Sequence, residues 1–419
     1  MAEPARATAA GHDRARALSL FQLLDPAIHA DPYPFYARLR EEAPVHWDAF
    51  MHCWVVTRYA DVQTVLTGFS ADRTPDAAHM QALGLTHVGP LARMMSRQML
   101  FLDAPAHSRL RQLCASVFTP RRVERMEGTV AQIADRLIDA VAAEGGMDVI
   151  YDFAEPFPAM VTAGLLGIPL EDHRRLKGWS ADFAEMLGNF QHNPDRVGRM
   201  LETVEAMTAY FAAQIARQRQ QGGDGLIRAL LDAELDGARL TEEEIVANVI
   251  ITMVGGQETT TNLIGNGLLT LLRQPERLAE LRERPGLLCS AVEELLRYET
   301  PSQHTARIAP ADTILGGQTI PKGAAVMAIM AAANHDPRQF PNPDLLDLAR
   351  TPNRHLAFGW GPHFCFGAAL ARLEGRLAFA VLLRRLQDVR LATDRLTWRT
   401  NSGLRGLTSL PIRFRAGRG

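Results

Sequence analysis

The chain has 419 residues, 47% of them hydrophobic and 22% charged, with a formal net charge of −2, which suits one large or two ordinary soluble domains. The near-neutral charge offers no broad basic field for a nucleic-acid partner. No run reaches the ~18 apolar residues of a membrane span, and the Ala-, Arg- and His-rich start lacks a signal's apolar core, so a cytoplasmic protein with no membrane contact is expected.

Residues 1–20 read as a flexible tail and 21–419 as one domain, since no internal repeat or rich linker divides the chain. Pro32, Pro34 and Pro44 punctuate a short helix at 35–41; 45–47 and 54–57 read as strands joined by a turn, and 59–66 as a helix. The stretch 70–100 has little regular pattern but carries Met80, Met94, Met95 and Met99. It reads either as a flexible apolar lid or as an ordinary loop with scattered methionines. Helical spacing then dominates at 106–118, 120–144, 156–166, 171–188 and 195–220, with Gly145-Gly146 and Gly222-Gly223-Asp224-Gly225 as breaks. A long helix covers 241–273, opened by Thr241 and Glu244 in a capping-box pattern, and another covers 287–298. Short β-prone pieces follow at 305–309, 313–315 and 325–330, then a Pro-rich coil, and 410–414 reads as a terminal strand. The fold class expected is mainly α with small β-sheets.

Two stretches carry chemistry. The first is Phe358-Gly359-Trp360-Gly361-Pro362-His363-Phe364-Cys365-Phe366-Gly367, which ends where Phe366, Leu370, Leu373, Leu377 and Val381 begin to recur at helical spacing. Cys365 thus sits at or just before a helix N-terminus, where free N–H groups and the dipole favour a thiolate. The loop's glycines let backbone come close to something large. Cys365 is therefore a candidate metal or cofactor ligand, with a small buried core residue as the alternative. The other cysteines, Cys53, Cys114 and Cys289, form no CxxC pair and argue against a disulfide framework or a local zinc knuckle. The second stretch is Val254-Gly255-Gly256-Gln257-Glu258-Thr259-Thr260-Thr261. Either Gly255-Gly256 ends one helix and Thr259 caps the next, or the glycines open a groove in one helix beside an acid–alcohol pair suited to proton relay. Glu294 and Arg297 share a helix face at i,i+3, and His107 and Arg111 at i,i+4.

In order and spacing these features resemble the cytochrome P450 family of haem-thiolate monooxygenases, of the soluble bacterial type. The resemblance runs from about Asp31 to Phe414, and the cysteine loop matches every fixed position of the family pattern. It implies a single triangular-prism-like domain with haem b, and Cys365 as the iron ligand whose donation favours O–O cleavage. It implies that His107, Arg111, Arg307 and His363 bind the haem propionates and that Phe358 packs near haem and sulfur. Thr259 matches the alcohol that hydrogen-bonds bound dioxygen, Glu258 the adjacent acid, and Gly255-Gly256 the oxygen groove. Glu294 and Arg297 match a buried structural pair. The sequence has Gly at 255 where Ala is commoner, Phe366 where Leu is commoner and Leu346 where Phe is commoner.

By the same resemblance, substrate contacts come from 74–100, 181–193, 248–259, 302–305 and 401–404. These supply Met94, Met95, Leu187, Phe190, Val249 and Ile250 as apolar candidates, and Ser302, Gln303, His304, Asn401 and Ser402 as polar ones. Such a lining suits a mid-sized, partly oxygenated secondary metabolite such as a polyketide, macrolide or terpenoid, hydroxylated or epoxidised with O2. The chain has no complete GxGxxG fingerprint and no cysteine cluster for an iron–sulfur centre, so NAD(P)H electrons would arrive through a separate ferredoxin and ferredoxin reductase. Arg109, Arg121, Arg122 and Arg372 lie in segments resembling the docking face, and a monomer is expected. The alternatives are a peroxide-driven peroxygenase, a non-catalytic haem ligand-binding protein, and zinc on Cys365 and His363.

Overall fold

The structure, a computed structural model, describes residues 16–74, 77–82, 84, 86–188 and 194–417. Its axis is the helix Glu242–Arg273. Thr241 Oγ1 accepts from Glu244 N–H at 3.2 Å while Glu244 Oε2 accepts from Thr241 N–H at 2.9 Å, so the expected capping box forms. Glu242, Glu243 and Glu244 in the first turn and Arg273 in the last complement the helix dipole. At 1.5 Å per residue this helix is roughly 48 Å long. It is buried over most of its length, polar side chains such as Asn248, Glu258 and Asn266 included. Helices Pro156–Leu166, His173–Gly188, Pro194–Gln221 and Ala368–Arg385 pack directly against it. Close approach needs Gly267, where a Cβ would stand 2.6 Å from Phe379 Cζ of the C-terminal helix.

The β structure is small and peripheral. Strands Val45–Asp48, Cys53–Val56, Ala325–Ala328 and Thr305–Ile308 form one sheet in that spatial order. Leu386–Leu391, Pro411–Ala416 and Gly146–Asp148 form another. The first sheet places Arg307 on the strand Thr305–Ile308, where it reaches the central cavity.

Several expectations need correction. The tail does not extend to residue 20: Leu18 and Leu20 are buried, and Ser19 Oγ donates to Asp48 at 2.8 Å. Residues 1–15 lie outside the described part. The stretch 70–100 is not irregular; it holds helices Ala77–Ala82 and Gly89–Met95 and a 3-10 turn at Met99–Phe101. Asn248 of the central helix fastens it, accepting from Met99 N–H at 3.0 Å and donating to Arg97 O at 2.9 Å. Elements this short carry too few residues for periodicity to register. The run 120–144 divides into Pro120–Arg125, Glu127–Val141 and a terminal 3-10 turn. Helices Leu226–Asp232 and Pro275–Glu283 and the strand Leu386–Leu391 are present where none was predicted.

Candidate active site

The cysteine loop is closed by its own backbone. Cys365 N–H donates to Phe358 O at 2.7 Å, folding the loop so that its two ends meet. Gly359 and Gly361 both have φ of +69°, which side-chain-bearing residues rarely adopt, and a Cβ on Gly361 would lie 2.9 Å from Thr67 Cγ2. Helix Ala368–Arg385 starts three residues after the cysteine, with Gly367 as its N-cap. Burial pushes the Cys365 thiol up, against the pull of the Gly367 N–H and the nearby Arg111 and Arg372. Desolvation thus opposes the thiolate, while the helix terminus and the two arginines favour it. An added cationic partner at the sulfur would reverse the balance.

Cys365, Phe358 and His363 line a cavity of about 320 Å³ together with Arg111, Arg307, Gly255, Gly256, Glu258 and Thr259. The fold therefore brings together nine of the ten predicted site residues, and the tenth, His107, packs against His363 with ring centroids 4.1 Å apart and the planes tilted by 35°. Arg111 Nη2 donates to Phe364 O at 2.6 Å, beside the cysteine. Burial and then neighbouring cations lower His363 to about 3 and also lower His107. Burial takes Arg307 down to about 10, with Asp103 acting the other way. His107 Nε2 and Arg307 Nε are buried without partners, and neither Arg111 nor Arg307 meets a carboxylate in an ion pair among the described residues. Crowded, unpaired donors of this kind call for an anion carrying more than one oxygen. The two propionates of haem b fit that demand, and Cys365 and the bare face at Gly255, where a Cβ meets nothing within 4 Å, fit its iron and its flat body.

On the opposite wall the central helix runs unbroken through Gly255-Gly256, so the glycines do not end it and Thr259 caps nothing. Thr259 Oγ1 donates to Gly255 O at 2.9 Å, a back-bond within the helix. Glu258 is 3% exposed and joins a four-charge cluster. It accepts from Arg399 Nη1 at 2.6 Å and from Lys177 Nζ, and both cations also pair with Glu155. Lys177, Arg399 and Glu155 were not legible as partners, being more than 80 residues from Glu258 or on the neighbouring helix. A second acid, Glu374, also lines the cavity and was not predicted. It accepts from Thr260 Oγ1 at 3.3 Å, and burial holds its carboxyl well above the usual range.

All five segments expected to supply substrate contacts reach the cavity, but most of the individual residues named within them do not. Leu187 and Ser302 line the cavity, joined by Met99, Leu100, Ile251 and Leu404. Val249 and Ile250 are fully buried in the core, and Met94 is buried with them. Asn401 donates to Ala184 O and accepts from Gly403 and Leu404 N–H, so it is a turn-former. Gln303 donates to Thr300 O and accepts from Tyr36. Neither Met95, His304 nor Ser402 reaches the lining, and Phe190 lies outside the described residues. Helical residues one position apart face different ways, which is why 248–259 contributes only part of its length.

Behind the cysteine, Glu294 and Arg297 form a bidentate pair with both bonds at 2.8 Å and both side chains fully buried. Arg350 and Asn353, missed from sequence, also donate to Glu294 at 3.0 Å. Of the expected docking arginines, Arg109 pairs with Glu244, Arg372 with Glu293, and Arg122 donates to Asp224 O. Among the described residues no group of three His, Cys, Asp or Glu is placed to hold a metal ion, so zinc on Cys365 and His363 has no further protein ligand there. Among those residues no helix is long and apolar enough to cross a membrane.

Comparison with known proteins agrees with this geometry. The family profile described as "Cytochrome P450" matches residues 87–284 and 286–404. The "Polyketide biosynthesis cytochrome P450 PksS" of Bacillus subtilis is 37% identical over 395 residues, 92% of this chain and 96% of that protein. The "Cytochrome P450 monooxygenase PikC" of Streptomyces venezuelae is 39% identical over 400 residues, 93% of this chain and 92% of its own. Among solved structures, P450BioI in complex with a hexadec-9Z-enoic acid-ligated acyl carrier protein superposes with a TM-score of 0.87 at 36% identity, covering 93% of this chain and 99% of that one.

Proposed function

The chain belongs to the cytochrome P450 monooxygenase family, and from that premise we propose that it inserts one oxygen atom of O2 into a mid-sized organic substrate, by hydroxylation or epoxidation. The observation that carries this reading is the convergence on one cavity of the Cys365 loop, the unpaired cations and the Gly255-to-Thr259 wall. Cys365 would be the iron ligand; His107, Arg111, Arg307 and His363 would hold the propionates; Phe358 would shield the sulfur. Thiolate-ligated haem supplies dioxygen activation at such a site.

The protein's own part is positioning and proton supply. Thr259 Oγ1, freed from Gly255 O, would donate a hydrogen bond into the cavity. Glu258 would take protons from outside once Lys177 or Arg399 swings away, and pass them toward Thr259. The mostly apolar walls exclude bulk water, which limits wasteful proton entry. A secondary metabolite, a polyketide above all, is supported by the description of one relative as polyketide biosynthetic. Electrons would come from NAD(P)H through a ferredoxin and its reductase.

The test is turnover with a ferredoxin, its reductase, NADPH and isotopically labelled O2 on a panel of polyketide-like substrates, free and carrier-bound. One labelled oxygen atom per product molecule is expected. Unlabelled product formed with hydrogen peroxide alone would instead place the protein among peroxygenases.

A further inference from the structure

Glu293, on helix Leu288–Tyr298, precedes the buried Glu294 and belongs to no motif named above, yet two side chains beside the cysteine loop converge on it. Its Oε1 accepts from Arg372 Nε at 2.7 Å and its Oε2 from Arg372 Nη2 at 2.8 Å, a bidentate fork. His355 is buried, and its Nδ1 accepts from the Ala357 N–H at 3.2 Å. That places the ring proton on Nε2, which donates to Glu293 Oε2 at 3.3 Å. Both partners end on one ring. The Arg372 guanidinium lies 4.6 Å from the centroid of Phe358, and the His355 ring lies 5.7 Å from it, tilted by 44°. The carbonyl of the same Phe358 receives the Cys365 N–H at 2.7 Å.

Burial alone would raise the Glu293 carboxyl, but the Arg372 and His355 donors outweigh it and take it down to about 2, so it stays an anion near neutral pH. A guanidinium held by a two-bond fork is fixed in plane as well as in place, and a cation over an aromatic face attracts the ring. Phe358 is thus pinned at its ring by two side chains and at its carbonyl by the cysteine's N–H. We propose that Glu293 is a positioning residue for the sulfur: through Arg372 and His355 it holds Phe358, and with it the hydrogen bond that closes the loop on Cys365. The same contacts give Arg372, expected as a docking cation, a task in the loop's own support. The consequence for the iron rests on the haem reading above; the clamp on the loop does not.

The experiment uses the full-length holoenzyme with Glu293→Gln, Phe358→Leu and the double variant. Gln keeps the shape of Glu but offers Arg372 a single acceptor oxygen. Amide hydrogen exchange in peptides covering 358–367 should quicken roughly tenfold or more in Glu293→Gln, the size expected for one lost charge-assisted hydrogen bond. Peptides from the central helix should be unaffected. The reduction potential of the haem should become less negative, because Arg372 loses its counter-charge and its field then falls on the sulfur. In the Phe358→Leu background, Glu293→Gln should add little to loop exchange, since its effect runs through that ring. Unchanged exchange at 358–367 overturns the proposal. So does faster exchange spread through helices Leu288–Tyr298 and Ala368–Arg385 with an unmoved potential, which would make Glu293 a general structural anchor. Fully additive effects in the double variant overturn the route through Phe358. A wild-type chain that purifies without haem overturns the haem reading, whereas faster loop exchange in Glu293→Gln of that chain still supports the clamp.

Discussion

The hydroxyl of Thr259 has two calls on it: the Gly255 carbonyl that it now meets at 2.9 Å, and the cavity that it lines. Removing it leaves the helix intact, since a back-bond adds little to helix stability. Thr259→Ala should therefore keep consuming oxygen and NADPH while product falls several-fold and hydrogen peroxide rises, and Thr259→Ser should recover most of the product. Product per NADPH that stays at the wild-type value would remove Thr259 from proton delivery. His304 makes a different prediction. Burial depresses it to about 4, so between its unfolded value near 6.5 and 4 the unfolded chain binds a proton that the folded one refuses. Stability contributed by neutral His304 is complete above about 6.5 and falls by roughly 1.4 kcal/mol per pH unit on acidification toward 4. Urea titrations of wild type and His304→Gln from pH 7 to pH 5 should show a shallower decline in the variant; parallel slopes would contradict this. At this scale Cys365, His363 and Glu258 were legible, because chemistry at fixed spacing marks them. Arg350, Glu374 and the Lys177–Arg399 clamp were not, because their roles come from contacts between distant segments.

Helix Leu288–Tyr298 owes its position to Glu294, which receives hydrogen bonds from Arg297, Arg350, Asn353 and the Asp347 N–H. Glu294→Gln leaves two arginines facing a neutral amide in a buried site. The loss should be about 3–5 kcal/mol, the usual consequence of breaking a buried charge pair from one side. Chemical denaturation measures it, and a loss below about 1 kcal/mol, typical of exposed pairs, would show that the cluster is not a structural anchor. The i,i+3 spacing made the pair visible in the sequence, but the same spacing recurs at Glu171 and Arg174, so only the coil at 341–353 wrapping over Glu294 distinguishes them. Long periodic helices were legible to within a few residues, as at Glu242–Arg273 and Pro156–Leu166. The short helices in 70–100 and the strand Leu386–Leu391 were not, since tertiary contacts and not local pattern sustain them.

Across the whole molecule, the central helix and the cysteine loop face each other over one cavity, and residues from 66 to 404 contribute to its walls. The sequence could place the two faces and the segments that line the substrate side, but not which of their residues turn inward, because that depends on packing. The central claim is that this cavity is a haem site closed by the Cys365 sulfur. Its most direct test is the carbon monoxide difference spectrum of the reduced protein beside that of Cys365→Ser. The wild type should show the strongly red-shifted Soret band of thiolate ligation, and Cys365→Ser should lose that band while keeping its helix content by circular dichroism. A colourless but folded wild type, a band typical of histidine ligation, or a thiolate band that survives in Cys365→Ser would contradict it.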